Sequence, residues 1–328
     1  MIRVPEAVDQ TNAAVRESLN GVSGFGEMTA HLSGAVGKGL RTLVFLTAAA
    51  NAENYVPENA VKAAAAIELL HTATLVHDDI IDDAATRRGI ETVQRKFGAH
   101  DAVICGDYLL CMSLSMLTES YSASANNGKT EVVNTLVPMI TRFSKALGDI
   151  CRGEYLQNRN SGNLDLGFYS YLKIISGKTA ALFYISACAG GILGSENEEN
   201  SHAIGRFGHY LGLAFQILDD CKDYELTETE ALKPVGKDIA GGVVTLPLIL
   251  AMQTEPALRS LAKEAIRSGR EIPKLIEAVR KAGGTEASRR IARRYARKAE
   301  SMLKDISAEK RRNLTNVLER ILAPVDGK

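Results

Sequence analysis

Residues 60–83 read AVKAAAAIELLHTATLVHDDIIDD, a long apolar run that turns acidic at its end. Its apolar residues recur at helical spacing, which predicts a helix over 57–83. At about 100° per residue, Asp78 and Asp82 fall on one face, and His71, one heptad before Asp78, lies on the same stripe. Two carboxylates and an imidazole are thereby lined up. Similar windows recur along the chain, at approximately 5–19, 25–33, 40–51, 98–120, 130–158, 165–176, 178–194, 200–225, 242–253, 256–267, 272–281, 284–305 and 308–323, while alternating strand patterns are hard to find. The expected fold class is all-α, a helical bundle.

With 328 residues, 45% of them hydrophobic, the chain is long enough to bury a large core. The expectation is a single domain over 1–328, with its motifs within about 37–250 and a charged helical part over about 255–328. The breaks, such as Arg87-Arg88-Gly89, Asn126-Asn127-Gly128 and Lys233 to Gly242, are too short for an interdomain linker. The 39 basic and 39 acidic residues cancel, so no general cationic field draws the chain to nucleic acid or anionic lipid. Anion binding must be local. Five scattered cysteines without a C-x-x-C pair point to a reduced, cytoplasmic setting. The opening MIRVPEAVDQ has no basic-then-apolar signal sequence. The best membrane-span candidate, Thr179 to Ser195, is shorter than the roughly 20 residues a span needs and reads as a buried core helix.

A second acidic face occurs about 140 residues after the first. In Phe215-Gln216-Ile-Leu-Asp219-Asp220-Cys-Lys-Asp223, the residues Gln216, Asp219, Asp220 and Asp223 follow the i, i+3, i+4, i+7 rule on an otherwise apolar helix. Clustered like charges near a helix C-terminus cost stability unless cations offset them. Hard oxygen ligands suit Mg²⁺, which keeps several waters and bridges carboxylates to phosphates, so the expected substrate is a diphosphate. One such cluster is as well explained by a solvated helix end paired with Arg or Lys; two make that explanation a minor one. An EF-hand is disfavoured because its glycine-containing loop is absent.

A diphosphate site also needs positive groups. Candidates are Lys38 and Arg41, Arg87 and Arg88 after the first cluster, Lys178 in Ser-Gly-Lys-Thr, and Lys237 in Pro-Val-Gly-Lys-Asp. Gly177-Lys178-Thr179 is not the tail of a P-loop, because the upstream glycine is missing and a helix precedes it.

These motifs, in order, resemble the trans-isoprenyl diphosphate synthases: Gly37-Lys-x-x-Arg41, Glu68-x-x-His71 running to Asp78-Asp-x-x-Asp82, Arg87-Arg-Gly89, Gly106-Asp-Tyr-Leu109, Gly153-Glu154, Lys178-Thr179, Phe215-Gln-Ile-x-Asp219-Asp-x-x-Asp223 and Gly236-Lys-Asp238. The resemblance implies an all-α fold around a central cavity. It also implies that Asp78, Asp82 and Asp219, with Asp79 and Asp223 in support, hold Mg²⁺ on an allylic diphosphate, assisted by Arg87, Lys178, Gln216 and Lys237. Asp220 joins the catalytic set and Thr179 the substrate-binding set, while Lys38, Arg41, His71 and Arg88 hold isopentenyl diphosphate. His71 has a satisfied core histidine as its alternative, and His77 is expected to support the helix. Two departures stand out. Val36 and Thr42 flank the first motif where the family has glycine and proline, and Cys221-Lys222 replaces an apolar pair, leaving Lys222 to face solvent or pair locally.

In this family, bulky residues four and five positions before the first aspartate stop chain growth. Here those positions hold Thr74 and Ala73. With about 1.5 Å of rise per residue, Ala73 lies about 7.5 Å below Asp78 and Ile67 about 16 Å below it. Leu70, Ile67, Leu109, Met112 and Met116 are candidates for the pocket floor, with ordinary core packing as the alternative. The expected product is therefore longer than geranylgeranyl diphosphate, with a short-chain synthase as the alternative. A terpene cyclase is disfavoured by the second aspartate motif and by the Lys38, Arg41, Arg88 set, and a non-catalytic subunit by the survival of both clusters. The family implies a homodimer; a small partner subunit and transient membrane contact are both compatible with the residues.

Overall fold

Each expected helix has a counterpart in the computed structural model, which describes residues 1–22, 24–34, 37, 39–124, 129–225 and 236–323. The fold is all-α, with two two-residue strand pairs as the sheet among the described residues. Two compact units form, each from separated stretches. The first gathers Met1–Phe143, Ile185–Gly205 and Asp305–Val317; the second gathers Ser144–Tyr184, Arg206–Lys304 and the described residues from Leu318 onward.

The first unit is built on α4 (Asn59–Ile81), which packs against α1 (Val4–Asn20), α3 (Leu40–Ala49) and most extensively α6 (Ala99–Ser124). Alanine explains the intimacy. Ala60 and Ala63 through Ala66 are wholly buried, and methyl side chains let neighbouring helices approach closely at no cost in helix propensity. Around them Val15, Leu19, Leu69, Ala73, Val76, Ala102, Cys105 and Leu109 form one cluster. The shorter α2 (Gly26–Ser33) and α5 (Val93–Phe97) complete this region.

β1 (Ile2–Arg3) pairs antiparallel with β2 (Tyr55–Val56). A second antiparallel pair, β3 (Thr86–Arg87) and β4 (Ile90–Glu91), follows the acidic end of α4. Both residues of its turn have positive φ, Arg88 at 52° and Gly89 at 83°, the two-residue geometry that matches strand twist. Neither pair was legible from alternation, because two residues are too few to show a period.

His77 pins α4 to α6. Its Nε2 lies 3.3 Å from the Val103 carbonyl and 3.3 Å from Asp107 Oδ1, in space left open because residue 106 is glycine. Tyr108 stacks on Phe25 at 4.7 Å. The ammonium of Lys310, 5% exposed, reaches Glu196 Oε1 at 2.7 Å and the Ala48 carbonyl at 3.1 Å. Burial raises the Glu196 pKa, but the bonds from Lys310 and Asn200 outweigh it and leave that carboxyl below its ordinary value.

The second unit contains the end of α7 (Lys129–Arg159), α8 (Phe168–Ile175), a π turn over Ser176–Ala180 leading into α9 (Ala181–Leu193), and the later part of α10 (Glu198–Glu225). After these come α11 (Lys237–Ala240), α12 (Leu246–Thr254), α13 (Leu258–Ser268), α14 (Ile272–Lys281) and α15 (Gly284–Ser301). Tyr171, Ile217, Tyr224, Ile239, Leu246, Leu248 and Leu275 lie in its core. Arg289 grips Glu225 with both Nε and Nη2, fixing α15 against the end of α10. A groove of about 570 Å³ between the 162–165 segment and α13 holds none of the expected ligands.

Two helical stretches, Ala99–Ala123 and Phe168–Leu193, are long and apolar enough to cross a membrane by length and composition alone. The second is 72% buried, as a core helix is. The first inserts Ala102, Cys105, Leu109 and Leu117 into the core and leaves an apolar stripe outside.

Candidate active site

In the first unit, α4 delivers Asp78 half-buried and Asp79 buried, with Asp82 exposed at its C-terminal cap. Arg87, on the strand after the helix, donates from Nε to Asp79 Oδ1 at 2.6 Å. Gln94 donates to the Asp79 carbonyl at 2.9 Å and to Asp83 Oδ1 at 3.3 Å. The β3–β4 turn therefore fixes Arg87 on the acidic helix end. Arg88, at the turn itself, lays its guanidinium where a side chain on residue 37 would sit, within 2.6 Å of that position. Gly37 is thus required for close approach. Lys38 lies outside the described residues.

About two turns deeper, Arg41 Nη1 lies 3.1 Å from His71 Nε2. A guanidinium only donates, so Nε2 accepts and the proton of a neutral ring sits on Nδ1. Burial, then the charges of Arg41, Arg88 and Arg87, hold the His71 pKa well below its ordinary value. Burial lowers the Arg41 pKa to about 10; Glu68 opposes this and Arg88 adds to it. Arg41 remains a cation at neutral pH. Three guanidinium groups acting on one imidazole put cationic donors beside the acidic helix end, which is what a diphosphate needs. Thr42, a departure from the family pattern, donates to Glu68 Oε2 at 3.3 Å. It thereby supports the carboxylate nearest Arg41.

In the second unit, α10 presents Asp219 partly exposed, bonded to Lys222 Nζ at 2.9 Å, so Lys222 pairs locally. Asp220 is 4% exposed, and both its oxygens are taken: Oδ2 by the Tyr171 hydroxyl at 2.6 Å and Oδ1 by Gln216 Nε2 at 2.7 Å. Thr179 in turn donates to Gln216 Oε1 at 2.7 Å. The chain Thr179–Gln216–Asp220–Tyr171 locks the Gln216 amide. Burial, then Asp238, raises the Asp220 pKa well above its ordinary value; Tyr171 and Gln216 oppose the shift.

Asp223 accepts from the Asp238 amide at 2.9 Å and thereby holds the start of α11, where Lys237 stands. Gly236, at φ 78°, leaves no room for a side chain against Ile272. Burial, then Asp223 and Asp219, pushes the Asp238 pKa up to about 7, against the pull of Lys178 and Lys237. Lys178 lies on the π turn and pairs with Glu154 at 2.8 Å. Single π turns recur at functional sites.

Tyr171 and Asp238 were not singled out among the expected site residues. Asp238 carried a signal, standing in the Gly236-Lys-Asp motif; Tyr171 carried none, since only the fold brings α8 to Asp220.

Along α4, Ile67, Leu70, Thr74 and Asp78 share one stripe. Ile67 and Leu70 are fully buried and Thr74 half-exposed, its hydroxyl bonded to the His71 carbonyl at 2.8 Å. Ala73 points elsewhere, into the cluster with Leu19, Leu69, Val76 and Leu109.

Among the described residues, no three His, Cys, Asp or Glu side chains are preassembled around a metal position. The donors nevertheless fit Mg²⁺. They are carboxylate oxygens, and burial together with the charges of Asp223 and Asp219 raises the Asp238 pKa in spite of Lys178 and Lys237, so a further cation is favoured there. A cation bound through one or two carboxylates, completing its shell with water and substrate oxygens, needs no protein cage.

The family described as Polyprenyl synthetase matches residues 23–282. The heptaprenyl diphosphate synthase component 2 of Bacillus subtilis is 34% identical over 82% of this chain and 73% of that protein. A decaprenyl diphosphate synthase from Rhodobacter capsulatus superposes with a TM-score of 0.83 at 31% identity, covering 97% of this chain and 96% of that one. A polyprenyl synthase from Caulobacter crescentus, complexed with calcium and isoprenyl diphosphate, gives a TM-score of 0.83 at 29% identity over 98% and 96% of the two chains.

Proposed function

Since the chain belongs to the polyprenyl synthetase family, we propose that it condenses isopentenyl diphosphate with an allylic diphosphate, making a trans-polyprenyl diphosphate longer than geranylgeranyl. The observation that carries this is the trio Arg41, Arg87 and Arg88 around His71, at the end of a helix bearing Asp78, Asp79 and Asp82. A cyclase has no use for a second diphosphate site of that kind.

In this reading, Arg41, Arg88, Lys38 and His71 hold the isopentenyl diphosphate. His71 is neutral and offers its Nδ1 proton without adding charge. Asp78 and Asp82 on α4, and Asp219 on α10, are the metal ligands of their respective clusters. Mg²⁺ when bound supplies positive charge as the allylic C–O bond ionises. Arg87, held by Asp79, and Lys178 and Lys237 stabilise the negative charge that grows on the leaving pyrophosphate. Gln216 and Thr179, held in register by Asp220 and Tyr171, orient the allylic group. The isopentenyl double bond attacks the allylic cation, and a proton is then lost.

Several finer readings belong with this one. The small residue Thr74, on the stripe of Asp78, leaves room for a growing tail, whereas Ala73 faces the packed core. The exposed stripe of α6, with Val103 at 43%, Ile104 at 42% and Leu114 at 36% exposure, supports assembly with a second copy as a homodimer. Five free thiols, two of them exposed, support a reducing cytoplasmic location.

The test is the substrate dependence of pyrophosphate release. In Mg²⁺ the full chain should release pyrophosphate only when both diphosphates are present, and EDTA, Asp78→Ala or Asp219→Ala should each abolish it. Release from the allylic diphosphate alone would point to a cyclase or a hydrolase.

A further inference from the structure

Glu154 lies on α7 and is 8% exposed, yet only one of its oxygens has a partner. Oε2 receives Lys178 Nζ at 2.8 Å, while Oε1 is buried without a hydrogen bond. An acceptor left in this way carries its full desolvation cost. Among the described residues no other donor shares the carboxylate, so its attraction falls on the Lys178 ammonium undiluted.

The backbone brings this pair together. A side-chain carbon on Gly153 would collide with the amide nitrogen of Lys178, and one on Gly177 with the Asp149 carbonyl. The π turn and α7 therefore touch main chain to main chain, and the side chains of residues 154 and 178 leave that contact side by side. An ammonium has three donors, and Glu154 takes one. Lys178 also acts on Asp238, whose carboxyl it pulls down.

Resting on the prenyl-transfer reading, we propose that Glu154 is a positioning residue, which anchors the flexible Lys178 so that its remaining donors meet the diphosphate. A free lysine side chain samples many rotamers, and a diphosphate must first select one of them. The carboxylate makes that selection in advance.

This role and a purely electrostatic one predict opposite signs. If Glu154 only opposed the site's positive charge, neutralising it would tighten anion binding. If it positions Lys178, neutralising it loosens binding.

The experiment is isothermal titration of inorganic pyrophosphate into the full chain in Mg²⁺, with melting curves for every variant. Glu154→Gln should bind at least tenfold more weakly with an unchanged melting temperature, and Glu154→Gln added to Lys178→Met should cost nothing beyond Lys178→Met alone. Glu154→Asp, which keeps the charge but draws it back by one methylene, should also weaken binding and carries the test if Glu154→Gln melts early. Equal or tighter binding by these variants, or fully additive losses in the double variant, overturns the positioning role alone. A wild-type chain that binds no pyrophosphate overturns the prenyl-transfer reading and this inference with it.

Discussion

Replacing Asp238 by Asn should stabilise the ligand-free protein at alkaline pH and leave it unchanged in acid. Burial and the charges of Asp223 and Asp219 push the Asp238 pKa from 3.8 to about 7. Between those values the folded chain keeps a proton that the unfolded chain has released. Stability therefore falls as pH rises from about 4 to about 7, then levels off. A gap of about 3 units at about 1.4 kcal/mol per unit gives a loss of about 4 kcal/mol. The amide of Asn cannot ionise, so Asp238→Asn should gain up to about that amount over wild type at pH 8 and nothing at pH 4. Urea unfolding followed by circular dichroism across this range measures both curves. If the two proteins keep the same pH slope, Asp238 is not a protonated carboxyl crowded by its neighbours, and the case for a cation-hungry second cluster fails with it.

Tyr171→Phe strips a hydrogen bond from the buried Asp220 carboxylate. It should cost about 1.5–3 kcal/mol of stability and lower kcat/KM through the loosened Gln216 amide, and wild-type kinetics would show that the network does not orient the site. Lys310→Met breaks a buried ion pair and strands Glu196. A loss of about 3–5 kcal/mol is expected in denaturant midpoints, partly recovered by adding Glu196→Gln. Thr74→Phe, on the same stripe as Asp78, should shorten the products separated by chromatography; an unchanged length distribution would show that the tail does not pass this residue. Ala73→Phe instead overpacks the α1–α4–α6 cluster and should cost about 1–3 kcal/mol.

The helices were legible because their apolar stripes span many turns: 59–81 and 198–225 emerged within a few residues of the ranges expected from spacing. The two carboxylate clusters were legible for the same reason, since helical spacing alone groups Asp78 with Asp82 and Asp219 with Asp223. What spacing could not show was which carboxylates are already engaged. Asp78 and Asp79 are adjacent in sequence, yet the 86–91 hairpin gives Asp79 to Arg87. Asp219 and Asp220 are adjacent too, yet only Asp220 meets Tyr171, about fifty residues away in the chain. The stripe argument also separates Thr74 from Ala73, two residues that the family pattern treats as one feature. The π turn at Ser176–Ala180 is invisible to spacing, because the extra residue leaves the apolar period on either side intact.

The most direct test of the prenyl-transfer account is mass spectrometry of the products formed by the purified chain from farnesyl diphosphate, isopentenyl diphosphate and Mg²⁺. The account predicts a ladder rising by one five-carbon unit per addition and extending beyond geranylgeranyl diphosphate. A cyclised hydrocarbon, or no consumption of isopentenyl diphosphate by the folded chain, would contradict it.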